Sequence, residues 1–369
     1  LPSRGLGDVY KRQDLNGQLR GKRVAASMAA KEMRMPLSAL NVDIFGSDID
    51  GSPLVFKSGD QDGIMVATDR DLIPLPWVSG EAYLDLRTMQ NDDGTAFLGD
   101  PRVALSSVLG EFEACGWQVI AACELEFFLL EDGGNLALPI NPKTGRRLSS
   151  TEVLSLRELD GFDAFFDDIT NSADLMGIGH LAITAEAGVG QFEVTMKHGP
   201  ALHIADNVIL LKELIKGTAR NHGMAATFMA KPFATESGNG LHTHFSVLNH
   251  AGENVFRDED ILMSAVAGCL KSFSASTLFF APYMNSYNRF VSGAHAPTSA
   301  TWGFENRTVA IRIPGGNTTS TRIEHRVAGG DANPYLLFTA IFGAALQGVK
   351  SKIKPPEPTT GNAYEKPNH

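Results

Sequence analysis

Cysteine is nearly absent from this chain: Cys115, Cys123 and Cys269 are its three thiols in 369 residues. They are too few and too scattered for a disulfide framework or a zinc knuckle, so they read as small buried residues in a reducing, cytoplasmic setting. An excess of basic charge is missing too. Against 32 Lys and Arg stand 42 Asp and Glu, a net charge of −10, which excludes a general nucleic-acid binder, whose phosphate contacts need a basic face. No apolar run approaches the roughly 20 residues that span a bilayer. There is no internal repeat, no coiled coil and no G-x-x-x-x-G-K-[ST] phosphate loop. A hydrophobic share of 43% and a charged share of 20% leave an ordinary globular chain, long enough for a large core and more than one domain.

An initiating Met is also lacking. Residues 1–13, LPSRGLGDVYKRQ, match nothing that follows and read as a translated adapter. A targeting peptide would need an apolar or amphipathic stretch that this segment does not have. It is set aside for fold purposes. The chain closes on PPEPTTGNAYEKPNH, a loop-like stretch, and the expectation is that a helical C-terminal segment is missing.

Between these ends the pattern changes character once. From Asp14 to about Met89 it is short strands and turns. LNGQLRGKRV reads as a hairpin turning at Asn16-Gly17, GIMVATD and EAYLDLRTM as further strands, and LIPLPWV as too Pro-rich for a central one. One helix is expected near Ser27–Met35. After Gly99-Asp100-Pro101, Val103, Leu105, Val108, Leu109 and Phe112 recur at helical spacing, with Pro101 near the start and Gly116 after the end. The strand VIAACELEFFLL follows. Further helices are expected over 158–176, 204–222, 258–274 and 333–348, and strands over 187–195, 225–228, 242–247, 310–314 and 321–327. The whole reads as α+β, with a catalytic domain built on a curved sheet.

Side chains two apart on a strand share a face. Glu124 and Glu126 therefore point the same way from an otherwise apolar strand, where paired charges need a cation or donors; a solvated edge is the alternative. The same grammar returns in Gln191 and Glu193, with Glu186 just before them, in His242, His244 and Ser246, and in Arg322, Glu324 and Arg326. Four such rows point to one sheet whose inner face lines a polar, metal-loaded channel. Oxygen-rich ligands with an imidazole suit Mg²⁺ or Mn²⁺. Two such ions with clamping arginines are the apparatus of phosphoryl transfer, and Arg289, Arg307, Arg312, Arg322 and Arg326 lie together among Gly- and Pro-rich turns.

ELEFFLL, GVGQFE, KPFATESGNGLHTHFS, NRTVAIRIPGG and RIEHRVAGGDANPY resemble, in order and spacing, the successive signatures of the glutamine synthetase family, over nearly all of 14–369. The resemblance implies a small β-grasp-like N-terminal domain, 14–90, then a catalytic domain, 91–369, with a curved, mostly antiparallel sheet and flanking helices. It implies two or more Mg²⁺ or Mn²⁺ ions, one held by Glu126, Glu186 and Glu193 and another by Glu124, His242 and Glu324. ATP would be handled by His244, Ser246, Arg312 and Arg322, and glutamate by Gly238, Arg289 and Arg326, with Arg307 near the transferred phosphate. Asp50 matches the acidic residue that binds ammonium from an adjacent subunit. The active sites would lie between subunits of a large homo-oligomer, free of nucleic acid and membrane. The implied reaction activates glutamate as γ-glutamyl phosphate and passes it to ammonia or an amine.

The sequence departs from ammonia-using members at the flap Arg289–Pro297. His295 stands where they carry a glutamate, and Ser292 replaces a proline. An imidazole offers no fixed negative charge for ammonium, yet can serve as a base near neutral pH. The basic residue expected shortly before Arg322 is absent from Asn317–Thr321. DLNGQLRGKRV and TGNAY resemble the branch that ligates glutamate to polyamines. The expectation is a glutamate–amine ligase for a putrescine-like substrate, with glutamine synthetase and a catalytically silent structural member as the alternatives.

Overall fold

The computed structural model describes residues 9–25, 28, 31–133, 136–179 and 181–365. Its first sheet is built from β1 (Val9–Gln13), β2 (Leu19–Arg23), β3 (Met33–Pro36), β4 (Asp62–Ala67), β5 (Ile73–Pro74) and β6 (Tyr83–Gln90), in the order β2-β1-β6-β4-β3 with β5 on β6. The short α1 (Pro53–Phe56) lies between β3 and β4. The turn joining β1 and β2 is closed by Asp14, whose Oδ1 accepts the N–H groups of Asn16 and Gln18, each at 2.9 Å. Gly17 supplies the left-handed residue, φ 77°, that such turns require.

Two expectations for this region are corrected. Residues 9–13, set aside as adapter, form β1 and pair with both β2 and β6; residues 1–8 lie outside the described residues. The helix expected near Ser27–Met35 ends instead in strand β3, where Met33 and Met35 alternate inward. Its residues 27, 29 and 30 fall outside the described residues.

The second sheet begins after α2 (Pro101–Glu113). That helix starts where Asp100 accepts the Arg102 N–H at 2.9 Å and Pro101 occupies the first turn. Next come β7 (Trp117–Glu131), α3 (Leu156–Asp160), α4 (Asp163–Leu175), β8 (Leu181–Ala185), β9 (Gln191–Met196), β10 (Gly199–Pro200), α5 (Ala201–Asn221), β11 (Met224–Thr227) and β12 (Leu241–Asn249). They are followed by α6 (Glu259–Phe280), α7 (Met284–Tyr287), β13 (Trp302–Phe304), β14 (Ile311–Ile313), β15 (Ile323–His325) and α8 (Pro334–Ser351). The order is β13-β14-β15-β12-β7-β9-β8, with β10 and β11 also on β7. Every pairing is antiparallel except β13–β14.

The helix expected over 158–176 is broken at Gly161-Phe162 into α3 and α4. Helix α6 runs past the expected end and is, at a mean hydropathy of 1.4, long and apolar enough to cross a membrane, which amends the sequence reading. Its apolar residues from Leu262 to Leu270 are buried, and its closest approach is to α8. A Cβ on Gly348 would stand 2.7 Å from the Gly268 Cα, so the pair of glycines lets the two backbones meet as core helices.

One face of β7 makes the core. Cys123, Leu125, Phe127 and Leu129 have no exposed surface and pack toward the helices, while Glu124 and Glu126 alternate to the other side. Ile73, Leu75, Leu84 and Leu86 of the first sheet belong to that same core, and Met33, Met35, Met65 and Met89 to a second, smaller one.

Candidate active site

Strand register gathers the polar rows onto one face. On β7, Glu124 stands opposite His242 of β12, and Glu126 opposite Glu193 of β9. On β15, Glu324 stands opposite His244 of β12 and Arg312 of β14. Five strands thus converge their functional side chains, and ligand atoms of Glu124, Glu193 and His242, and of Glu124, His244 and Glu324, come within 4.8 Å of one another. These two sets divide the residues differently from the grouping implied by family resemblance. Glu124 belongs to both, and His244 joins the acids.

Hydrogen bonds fix the imidazoles. His242 Nδ1 and His244 Nε2 each meet a different Glu124 oxygen at 3.0 Å, and Arg322 Nε donates to His244 Nδ1 at 3.3 Å. Since Glu124 can only accept and Arg322 can only donate, His244 donates through Nε2 to the carboxylate and accepts through Nδ1 from the guanidinium. His242, donating through Nδ1, is left with a buried Nε2 that has no partner among the described residues. That is the arrangement of a metal-ligating histidine, oriented by a carboxylate on its other nitrogen.

The carboxylates are strained electrostatically. Burial and then the Glu124, Glu126 and Glu186 charges push Glu193 up to about 9. Burial and then the Glu126 and Glu124 charges push Glu186 up to about 7, with Arg307 opposing. Burial would raise Glu124 as well, but His242 and His244 hold it well below the usual carboxylate range. Acids crowded this closely are relieved by a cation, and the oxygen-rich set with imidazoles fits a hard divalent ion.

Around this cluster the arginines are placed unequally. Arg312 Nη1 grips Glu324 at 2.6 Å and Arg326 Nη1 takes its other oxygen, so Glu324 is fully buried between two guanidiniums. Arg289 is buried, donates to the Val327 carbonyl at 2.8 Å and keeps an Nε without a partner among the described residues. It fits because the facing loop is Gly238-Asn239-Gly240: a Cβ on Gly240 would stand 2.7 Å from Arg289 Nη2, and one on Gly238 2.8 Å from its Cγ. Arg322, His244, Ser246 and Glu124 line a hollow of about 450 Å³.

Three of the expected catalytic residues lie outside this network. Arg307 is exposed and, among the described residues, donates no hydrogen bond, although its charge is felt at Glu186. His295 is exposed on its loop in a left-handed conformation, φ 56°. Asp50 is exposed beside a separate hollow of about 540 Å³ in the first sheet's region, walled by Leu15, Phe97 and the Gly51–Leu54 segment.

Sequence reasoning did not assign roles to four residues that shape the site. Gln191 is buried and its Nε2 donates to the Gly238 carbonyl at 3.1 Å and to Asn239 Oδ1 at 3.0 Å. Asn239 in turn donates to the Met229 carbonyl at 2.9 Å, holding the loop. Lys197 and His198 are exposed at the hollow's wall. Gln191 and Asn239 lie inside the matched motifs, and Gln191 was also marked by its place two residues before Glu193 on a strand.

The glutamine synthetase catalytic-domain model matches residues 98–369. The chain belongs to the glutamine synthetase family. It is similar to gamma-glutamylputrescine synthetase PuuA of Escherichia coli (strain K12), at 37% identity over 368 residues covering 95% of this chain and 77% of that protein. It is also similar to glutamate–isopropylamine ligase of Pseudomonas sp, at 32% identity covering 95% of this chain and 80% of that protein. A solved structure described as a GmaS/ADP complex aligns with a TM-score of 0.84 at 29% identity, covering 97% of this chain and 82% of that one. As a family member this enzyme is an ATP-dependent C–N ligase of the glutamate–ammonia/amine class, a class that works with divalent metals.

Proposed function

We propose that this glutamine synthetase relative joins the side-chain carboxyl of glutamate to a putrescine-like amine at the expense of ATP. The observation that carries the ligase chemistry is the convergence of Glu124, Glu193, His242, His244 and Glu324 on one sheet face. The amine preference is supported by the two amine-ligase relatives and by His295 in place of an acidic flap residue.

In the first step a γ-carboxylate oxygen of glutamate attacks the terminal phosphorus of ATP, the bond to the bridging oxygen breaks, and ADP leaves. Arg289 and Arg326, with the bare Gly238 backbone, hold the glutamate. His244, Ser246 and Arg322 orient the nucleotide in the hollow they line. Arg312 adds its charge beside Glu324, and Arg307 meets the transferred group. Glu124, Glu193 and His242, with Glu126, Glu186 and Glu324 beside them, would hold two Mg²⁺ or Mn²⁺ ions, and such ions neutralise polyphosphate charge.

In the second step the amine nitrogen attacks the activated carbonyl, the carbon–oxygen bond to phosphate breaks, and His295 takes the proton that the nitrogen gives up. Water must be kept out, since it would hydrolyse the acyl phosphate. Asp50, exposed and remote from the acidic cluster, suits a role in a neighbouring subunit's site, and the working form is read as a cytoplasmic homo-oligomer.

The test is ADP release with glutamate, Mg²⁺ and a panel of amines. Turnover selective for putrescine supports the proposal. Stimulation by ammonia alone would make the enzyme a glutamine synthetase, and silence with every amine would leave a structural role.

A further inference from the structure

The turn Glu305-Asn306-Arg307-Thr308 is fastened on both flanks, while the arginine at its tip is left free. On one flank Glu305 takes left-handed backbone, φ 51°, a conformation that a non-glycine residue keeps where its surroundings impose it. Its carboxylate accepts the Gly315 N–H and Arg312 Nη2, the latter at 3.3 Å.

On the other flank the Asn306 side chain is committed at both ends. Its Oδ1 accepts from Thr308 N at 2.9 Å and from Thr308 Oγ1 at 2.7 Å. Its Nδ2 donates to the carbonyls of Thr359, at 3.1 Å, and Gly361, at 2.8 Å. Those carbonyls belong to a strap, residues 356–363, bound along β13. Thr359 N donates to the Trp302 carbonyl and Trp302 Nε1 to the Pro356 carbonyl, each at 2.7 Å. Ala363 N closes the strap onto Thr308 Oγ1 at 2.9 Å.

Arg307 itself is exposed and has no hydrogen-bond partner among the described residues, yet its charge acts on both Glu186 and Glu305. A long side chain without a partner can be aimed only through its backbone. We propose that Asn306 is the positioning residue for Arg307, tying its turn to the 356–363 strap so that the guanidinium is presented to the Glu186 side of the site. The inference rests on the reading that Arg307 meets the transferred phosphate. It makes the strap a working part of the active site.

Asn306→Asp separates this role from simple turn formation. An aspartate still accepts from Thr308, but it cannot donate to the Thr359 and Gly361 carbonyls and sets a charge against them. The expected result is a fall in kcat of roughly ten- to a hundredfold, the scale of an angstrom-level misplacement, with KM for ATP and glutamate within about twofold. In an Arg307→Ala background, Asn306→Asp should lower kcat no further, since residues acting as one unit are not additive. Thr308→Val, which removes the hydroxyl that both Asn306 and Ala363 use, should repeat the pattern and serves if the aspartate variant fails to fold. Additive losses in the double variants would overturn the proposal, as would full kcat in folded Asn306→Asp. Full turnover by Arg307→Ala alone would instead withdraw the phosphate role of Arg307 on which the inference stands.

Discussion

Glu126 and Gly240 are bonded to each other twice: the Glu126 N–H donates to the Gly240 carbonyl at 3.0 Å, and Glu126 Oε2 accepts the Gly240 N–H at 2.7 Å. One strand residue thereby fixes the loop that faces Arg289. A Cβ at residue 240 would stand 2.7 Å from Arg289 Nη2, 3.1 Å from His242 Nε2 and 3.2 Å from Glu126 Oε1. Gly240→Ala therefore displaces three site groups at once. Turnover, followed as ADP release, should fall by about a hundredfold or more, with a stability loss on the order of 1–3 kcal/mol for overpacking.

Glu193 is pushed up to about 9 by burial and three neighbouring acids, so a bound cation should stabilise the fold. Mg²⁺ at about a hundred times its dissociation constant should raise the unfolding free energy by about 2.7 kcal/mol. Thermal melts of Glu193→Ala with and without Mg²⁺ should show most of that gain gone. An equal gain in both proteins would remove Glu193 from the ligand set.

Glu324→Ala should injure the fold as well as the chemistry. It leaves the Arg312 and Arg326 guanidiniums without the carboxylate they share, and breaking a buried pair this way costs about 3–5 kcal/mol. Glu324→Gln, which keeps the shape and an acceptor oxygen, should lose less stability in urea while still losing turnover.

His295→Ala should leave glutamate-dependent formation of the acyl phosphate intact and slow the amine-dependent half by roughly a hundredfold, the low end for a general base. Single-turnover ADP formation, compared with amide formation, separates the two halves. Unchanged amide formation would take His295 out of the mechanism.

Lys212 is buried, its Nζ donating to the Ala332 carbonyl at 3.0 Å, and burial pulls its pKa from 10.5 down to about 7. Between those values the unfolded chain holds a proton that the folded chain has released. This group therefore adds to the unfolding free energy as pH rises through that window, by at most about 1.4 kcal/mol per pH unit. Lys212→Met lacks this contribution. Urea unfolding at pH 7 and pH 9 should show the wild type gaining on the variant, and a constant difference would mean that Lys212 does not titrate there.

The acidic rows were legible because alternation along a strand is written in the sequence: Glu124 and Glu126, then His242 and His244, need no tertiary information to share a face. Which residues meet across strands was not, since the sets Glu124/Glu193/His242 and Glu124/His244/Glu324 depend on register. The break at Gly161-Phe162 escaped because the apolar period continues through it. Strand β1 escaped because its neighbours, β2 and β6, supply its hydrogen bonds whatever its own composition. Asn306 was not singled out, since its side chain bonds to carbonyls more than fifty positions along the chain.

Ile73, Leu75, Leu84 and Leu86 share their apolar body with Leu105, Phe112, Val119 and Leu125. Excision at residue 98, where the family's catalytic unit begins, would cut through that body and bare a greasy flank to solvent. Anyone expressing the larger piece by itself should expect sticky, self-associating material unless the small sheet travels with it or that flank is rebuilt with polar side chains.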